Sequence, residues 1–227
     1  MELTLHLFGI DPASALTLTS GAAKRLGCSP AIGRHTGGWS VLKAPDDEAG
    51  NAFMKEAEAL LYPKALFVQN PFAWAVAELA RRQERITFAE SCTGGLLAAL
   101  FTRIPGCSAV LEGSLVTYSN RLKTAWLGVG SDTLERYGAV SAPCVEEMLE
   151  GALLRTDADV ALAISGIAGP DGGTPQKPVG TVFVGVMARA NEPIVEALHL
   201  KGDRSQVQHQ SAYHALRLLL TRHLQMR

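Results

Sequence analysis

The sequence is poor in the features that mark secreted, metal-holding or membrane-embedded chains. Only four cysteines occur in 227 residues, Cys28, Cys92, Cys107 and Cys144, and no two form a CxxC pair. Scattered thiols of this kind fit a reduced cytoplasmic protein and argue against a disulfide framework or a structural zinc site. The six histidines are dispersed and no HExxH occurs, so no metal is expected. The formal net charge is only −1, which leaves no overall field to recruit nucleic acid or an anionic membrane. No apolar run approaches the roughly 18 residues of a membrane span, and MELTLHLFGI lacks the basic start and cleavage pattern of a signal peptide. The expectation is a cytoplasmic protein whose anionic ligands, if any, are held by a local site.

What the chain does have is core. Hydrophobic residues make up 47% and charged residues 19%, the balance of a folded globular protein. Residues 1–68 read as a small α+β unit in the order β-α-β-β-α. Leu3, Leu5 and Leu7 alternate as in a strand, and Asp11 or Pro12 starts a helix through Leu26. Ala31 to Arg34 and Gly38 to Leu42 flank a turn, and Pro45-Asp46-Asp47-Glu48 opens a second helix to Leu61. Pro63 to Pro71 reads as a linker, although Ala65 to Val68 also fits a short strand. From residue 69 to 227 helices alternate with buried strands. Helical patterns cover 72–82, 94–104, 120–127, 132–137, 142–154 and 205–223; strand patterns cover 85–89, 110–118, 159–165, 179–187 and 194–200. The fold class is α/β with a layered sheet.

Chemistry concentrates at AESCTGG, residues 89 to 95, between a strand and a helix. Such junctions at the carboxyl edge of an α/β sheet are where ligands bind. Ser91 can be a helix cap or a nucleophile. Thr93 is the better-placed cap, and Gly94-Gly95 weakens a helix start by roughly 1 kcal/mol per residue, which fits close approach of a ligand to the backbone. Cys92 is the rival nucleophile, but alternation puts it on the opposite side from Ser91, and Ser91 is favoured. A serine needs a base. No histidine sits in a triad pattern, whereas VTYSNRLK (116–123) offers Lys123 one turn into a helix, with Arg121 nearby to disfavour a second positive charge. From this motif alone, a solvated lysine on a short helix is the favoured reading. SGIAGPDGG (165–173) follows a buried strand and can present backbone N–H groups to an anion or carbonyl oxygen; a surface turn is the plainer alternative. It is not a P-loop, because Lys177 is followed by Pro178. Arg204, in KGDR, can hold a phosphate, but a salt bridge to Asp203 or another surface acid is the favoured reading.

Taken together, AESCTGG, VTYSN with Lys123, GAVS (138–141), SGIAGPDGG, KPVGTV (177–182) and GDR (202–204) resemble the C-terminal domain of the CinA family. That domain includes stand-alone nicotinamide-nucleotide amidases, and the likeness runs over residues 72 to 223. It implies a three-layer α/β/α sandwich with a mixed sheet in residues 69–227. It implies hydrolysis of the carboxamide of nicotinamide mononucleotide to nicotinate mononucleotide and ammonia, with neither cofactor nor metal, in a homo-oligomer (dimer or higher). Ser91 falls where the family has its nucleophile and Lys123 where it has its base, with Tyr118 beside them. The substrate contacts implied are Cys92, Thr93, Gly94, Gly95, Asn120, Ser165, Gly166, Ala168, Gly169 and Arg204. One departure stands out: Arg121-Leu122 occupies a place where members commonly carry an acidic or small residue. The chain has no room for the large upstream domain of full-length CinA proteins, and residues 1–68 resemble only their KH-like segment. His35-Thr36-Gly37-Gly38 is not a convincing GxxG clamp, so nucleic acid is not an expected partner. The competing reading is a catalytically silent CinA-like protein that binds a nucleotide or a partner.

Overall fold

A computed structural model describes residues 2–36 and 39–225. Gly37, in the turn expected over His35 to Gly37, and Gly38, the first residue of the strand pattern expected after it, lie outside the described residues. The chain divides into two compact units, Met1–Pro71 and Phe72–Arg227.

The first unit contains β1 (Glu2–Phe8), α1 (Pro12–Leu26), β2 (Ala31–Thr36), β3 (Trp39–Pro45), α2 (Glu48–Leu61) and β4 (Ala65–Phe67). The stretch open to two readings, linker or strand, is therefore a strand. Its four strands run antiparallel in the order β2-β3-β1-β4. Both helices begin at caps visible in the sequence: Asp11 accepts from Ser14 N and Asp47 from Gly50 N. Leu3, Leu5 and Leu7 point to one side of β1 and share a core with Ala15, Phe53, Met54 and Ala57 of the helices; the period-2 alternation decides that face.

The second unit follows as α3 (Pro71–Arg82), β5 (Ile86–Glu90), α4 (Leu96–Thr102), a 3₁₀ turn at Cys107–Ala109, β6 (Leu111–Val116), α5 (Asn120–Leu127), α6 (Ser131–Tyr137), α7 (Ala142–Arg155), β7 (Val160–Gly166), β8 (Thr181–Ala188), β9 (Ile194–His199) and α8 (Arg204–Leu218), which runs on as a π-helical segment, Leu219–His223. The sheet order is β6-β5-β7-β8-β9. β6, β5 and β7 are parallel, and β8 and β9 are antiparallel additions, so the sheet is mixed. Every residue of β5 is buried, as expected where both faces are covered. Ala89, Ala161 and Ala163 face Val145, Met148 and Leu149 of α7, on which α5 and α6 also pack. The neighbouring Phe88 turns to the other face, against Phe101 of α4 with ring centroids 4.9 Å apart, and α8 covers β7 and β8. Helices thus lie on both faces of the sheet, in three layers. Because β5, β6 and β7 are parallel, the segments after them emerge at one edge. Those segments are the 91–95 turn, the 117–119 turn and the glycine loop. Among the described residues no helix is long and apolar enough to cross a membrane.

Candidate active site

Ser91 is the first residue beyond β5. Its N–H donates to Ile164 O of the adjacent β7 (3.0 Å), and its carbonyl accepts from Gly94 N (3.0 Å), closing a tight turn. Gly94 and Gly95 follow with φ of 63° and 99°, left-handed values that a side chain would resist. The glycines therefore serve the turn. Neither is among the residues lining the cleft described below.

The helix start is also not capped as the sequence suggests. α4 begins at Leu96, with Gly95 as N-cap and no cap hydrogen bond from its own side chain. Thr93 Oγ1 is buried without a partner among the described residues. Glu90 does the capping instead. One carboxylate oxygen accepts from Gly95 N and Leu97 N, and the other from Ala98 N and Ser114 Oγ, all at 3.0 Å. An acid at the end of an apolar strand was the available signal, because a buried carboxylate has to find donors.

Lys123 comes from α5, whose N-cap Ser119 accepts from Leu122 N at 3.2 Å. The cap sets the register that turns Lys123 inward, where it is 1% exposed. Its Nζ donates to Thr117 O (2.6 Å) and lies 2.8 Å from Ser91 Oγ. With the amine neutral, the same separation lets the serine hydroxyl donate to nitrogen. Burial lowers the lysine pKa, partly offset by the Cys144 and Cys92 thiols. Arg121 is exposed and is not among the causes of that shift, so the helper role expected for it is not supported.

Lys123 and Ser91 open into a cleft of about 260 Å³. Cys92 contributes to the same wall, contrary to the expectation that only one of the two could. Its thiol is buried and pushed up to about 12 by that burial, the opposite of an activated thiolate. Tyr118 stands at the rim, 58% exposed. Arg204 Nη2 donates to Tyr118 Oη and Nη1 to Gly169 O, both at 2.8 Å. Asp203 is occupied in the α8 capping box with Gln206, so it is not Arg204's partner. Ser165 lines the cleft, but its hydroxyl donates to Ala139 O (2.7 Å). Gly166, Ala168 and Gly169 line it too. Thr93, Gly94, Gly95 and Asn120 do not. Ala139, Val140, Ile167, Asp171 and Gly172 complete the wall. Ala139, Val140, Ile167 and Gly172 are small or apolar positions that carry no chemical signature, and Asp171 stands out in the sequence only as part of the glycine-rich loop. Among the described residues no group of three or more His, Cys, Asp or Glu side chains is arranged to hold a metal.

The family model described as the CinA C-terminal domain matches residues 71–223. The chain belongs to the CinA family. A CinA-like protein of Thermotoga neapolitana is 48% identical over 149 residues, covering 66% of this chain and 36% of its own length. A CinA-like protein of Syntrophotalea carbinolica is 43% identical over 188 residues, 78% of this chain and 44% of its own length. That coverage exceeds what Phe72–Arg227 contains, so the likeness extends into the first unit. The chain spans less than half the length of these curated CinA-like relatives. Among solved structures, the CinA superfamily protein of Escherichia coli aligns with a TM-score of 0.64 at 36% identity, over 67% of this chain and 88% of that one. The competence/damage inducible protein of Agrobacterium tumefaciens aligns at 0.63 and 35%, over 69% and 98%.

Proposed function

We propose that this CinA-family chain is a nicotinamide-nucleotide amidase, converting the carboxamide of nicotinamide mononucleotide to nicotinate mononucleotide and ammonia. The observation that carries the reading is the pairing of a buried, pKa-lowered Lys123 with Ser91 Oγ at 2.8 Å, in a cleft. Neutral Lys123 accepts the Ser91 proton as Oγ attacks the amide carbon. The resulting oxyanion needs N–H donors, worth a few kcal/mol of barrier. Glu90 already occupies those of Gly95, Leu97 and Ala98. The N–H groups of Ala168 and Gly169 serve no other residue among those described, and both residues line the cleft. Lys123 then protonates the departing ammonia. Water, giving its proton to the same amine, cleaves the acyl ester and releases Ser91.

Arg204 places a guanidinium on the wall, and two of its N–H donors are in use. The remaining donors suit the phosphate of the substrate. The same reading has the protein act in the cytoplasm as a homo-oligomer without nucleic acid, its KH-like first unit serving as an interface module.

Ammonia release from nicotinamide mononucleotide by the purified protein tests the proposal. Ser91→Ala and Lys123→Ala are each expected to abolish it. Turnover that survives both would remove the mechanism, and tight nucleotide binding without ammonia would favour the silent-binding alternative. A panel of related nucleotide amides would define the substrate.

A further inference from the structure

Glu90 is the last residue of β5, directly before Ser91, and it is fully buried. No cation pairs with it among the described residues. Its carboxylate is instead satisfied by four donors, the N–H groups of Gly95, Leu97 and Ala98 and the Ser114 hydroxyl. These bonds clamp both ends of the short segment that contains Ser91. The main chain of Glu90 also reaches the lysine side of the pair. Its carbonyl accepts from Thr117 N (2.9 Å), and Thr117 O in turn accepts from Lys123 Nζ. One residue therefore fastens the Ser91 turn through its side chain and the Lys123 contact through its backbone. An apolar side chain at this position would leave three N–H groups, that of Leu97 buried and those of Gly95 and Ala98 half-buried, and a hydroxyl without their acceptor.

We infer that Glu90 is the positioning residue of the Ser91–Lys123 pair, its carboxylate holding the Ser91 turn at hydrogen-bond distance from the lysine. The kinetic consequence rests on the amidase reading; the geometric one does not. Glu90→Gln keeps the volume, but replaces one acceptor oxygen with an N–H₂ that opposes an N–H of the turn. Glu90→Asp keeps the charge and shortens the reach by one methylene, so the four donors are no longer all in range.

The test is a crystal structure of each variant, together with its kcat and KM for ammonia release. In both variants the Ser91 Oγ to Lys123 Nζ separation is expected to open beyond about 3.5 Å. Turnover per folded molecule is expected to fall on the order of 100-fold, as a misplacement near 1 Å does, while KM holds. Two variants that keep the wild-type separation and kcat overturn the inference. So does a loss of activity that tracks the folded fraction alone, with kcat per folded molecule intact. If one variant does not fold, the other decides on the same criteria. Wild-type protein that releases no ammonia, with a separation that opens in the variants, would sink the amidase reading and leave the positioning role standing. Active wild type with unaltered variants would do the reverse.

Discussion

Gly151 of α7 lies so close to α5 that a methyl group in its place would sit 1.9 Å from the carbonyl oxygen of Leu127. Leu127 is the last residue of α5, one helical turn beyond Lys123. At that end the helix stops at Gly128, with φ of 73°, and at the other it starts on the Ser119 cap. Lys123 therefore reaches Ser91 from a helix whose distance to α7 is set by the missing side chain at 151.

Gly151→Ala follows directly. The contact is with backbone, so the helices have to part, and overpacking of this kind costs about 1–3 kcal/mol. Thermal melting should show a lowered Tm, and turnover should fall even at temperatures where the variant is folded. A variant with wild-type Tm and turnover would mean that α5 can shift freely.

Lys123→Met should abolish ammonia release and yet stabilise the fold at neutral pH. The unfolded lysine holds its proton up to about its ordinary 10.5, whereas burial lowers the folded value. Between those two pKa values the unfolded chain binds more protons, so stability rises with pH there and is diminished below. Methionine removes the penalty. Melts from neutral to alkaline pH should show a higher Tm for the variant at neutral pH and a flatter rise. A variant less stable than wild type at neutral pH would contradict the burial argument.

The pH–rate profile carries the same sign. Turnover needs the neutral amine, so kcat/KM should increase with pH through the lowered pKa of Lys123 and level off below the ordinary value of 10.5. An acid limb at the ordinary lysine pKa would show that the amine is solvated during catalysis.

His6 of the first unit is buried, and burial lowers its pKa from 6.5 to about 4 despite backbone hydrogen bonds at Gln69 and Val68. Its neutral form belongs to the folded unit. Above 6.5 no penalty exists; as pH falls toward 4 the unfolded chain gains the proton first, and about 3 kcal/mol of stability is lost. Hydrogen exchange within residues 2–67 should accelerate over that window, and His6→Leu should remove most of the pH dependence. Unaltered pH dependence in that variant would assign it to other groups.

Local rules read parts of this molecule well. Asp11 and Ser141 start helices as their side chains require, and Gly128 ends one. The apolar runs ITFAE and VALAISG became the buried parallel strands. The same rules failed at Thr93, because Glu90, which reaches the N–H groups from the end of the strand before the turn, is not a cap position in any local pattern. They also misjudged Arg204. Its neighbour Asp203 was the obvious partner in the chain, but the guanidinium binds Tyr118, 86 positions away, and Gly169, 35 away.

By itself the sequence determined the alternation of elements, some of their caps and the segments rich in reactive groups, because turn chemistry and hydrophobic periodicity act over a few residues. Tertiary structure alone decided that Lys123 is buried rather than solvated, that it meets a hydroxyl 32 positions away, and that Asn120 and the two glycines stand apart from the cleft. Proton affinity and hydrogen bonding depend on solvent exclusion and distance through space. Neither quantity exists until β5, β6 and β7 lie side by side and bring their carboxyl ends to one edge.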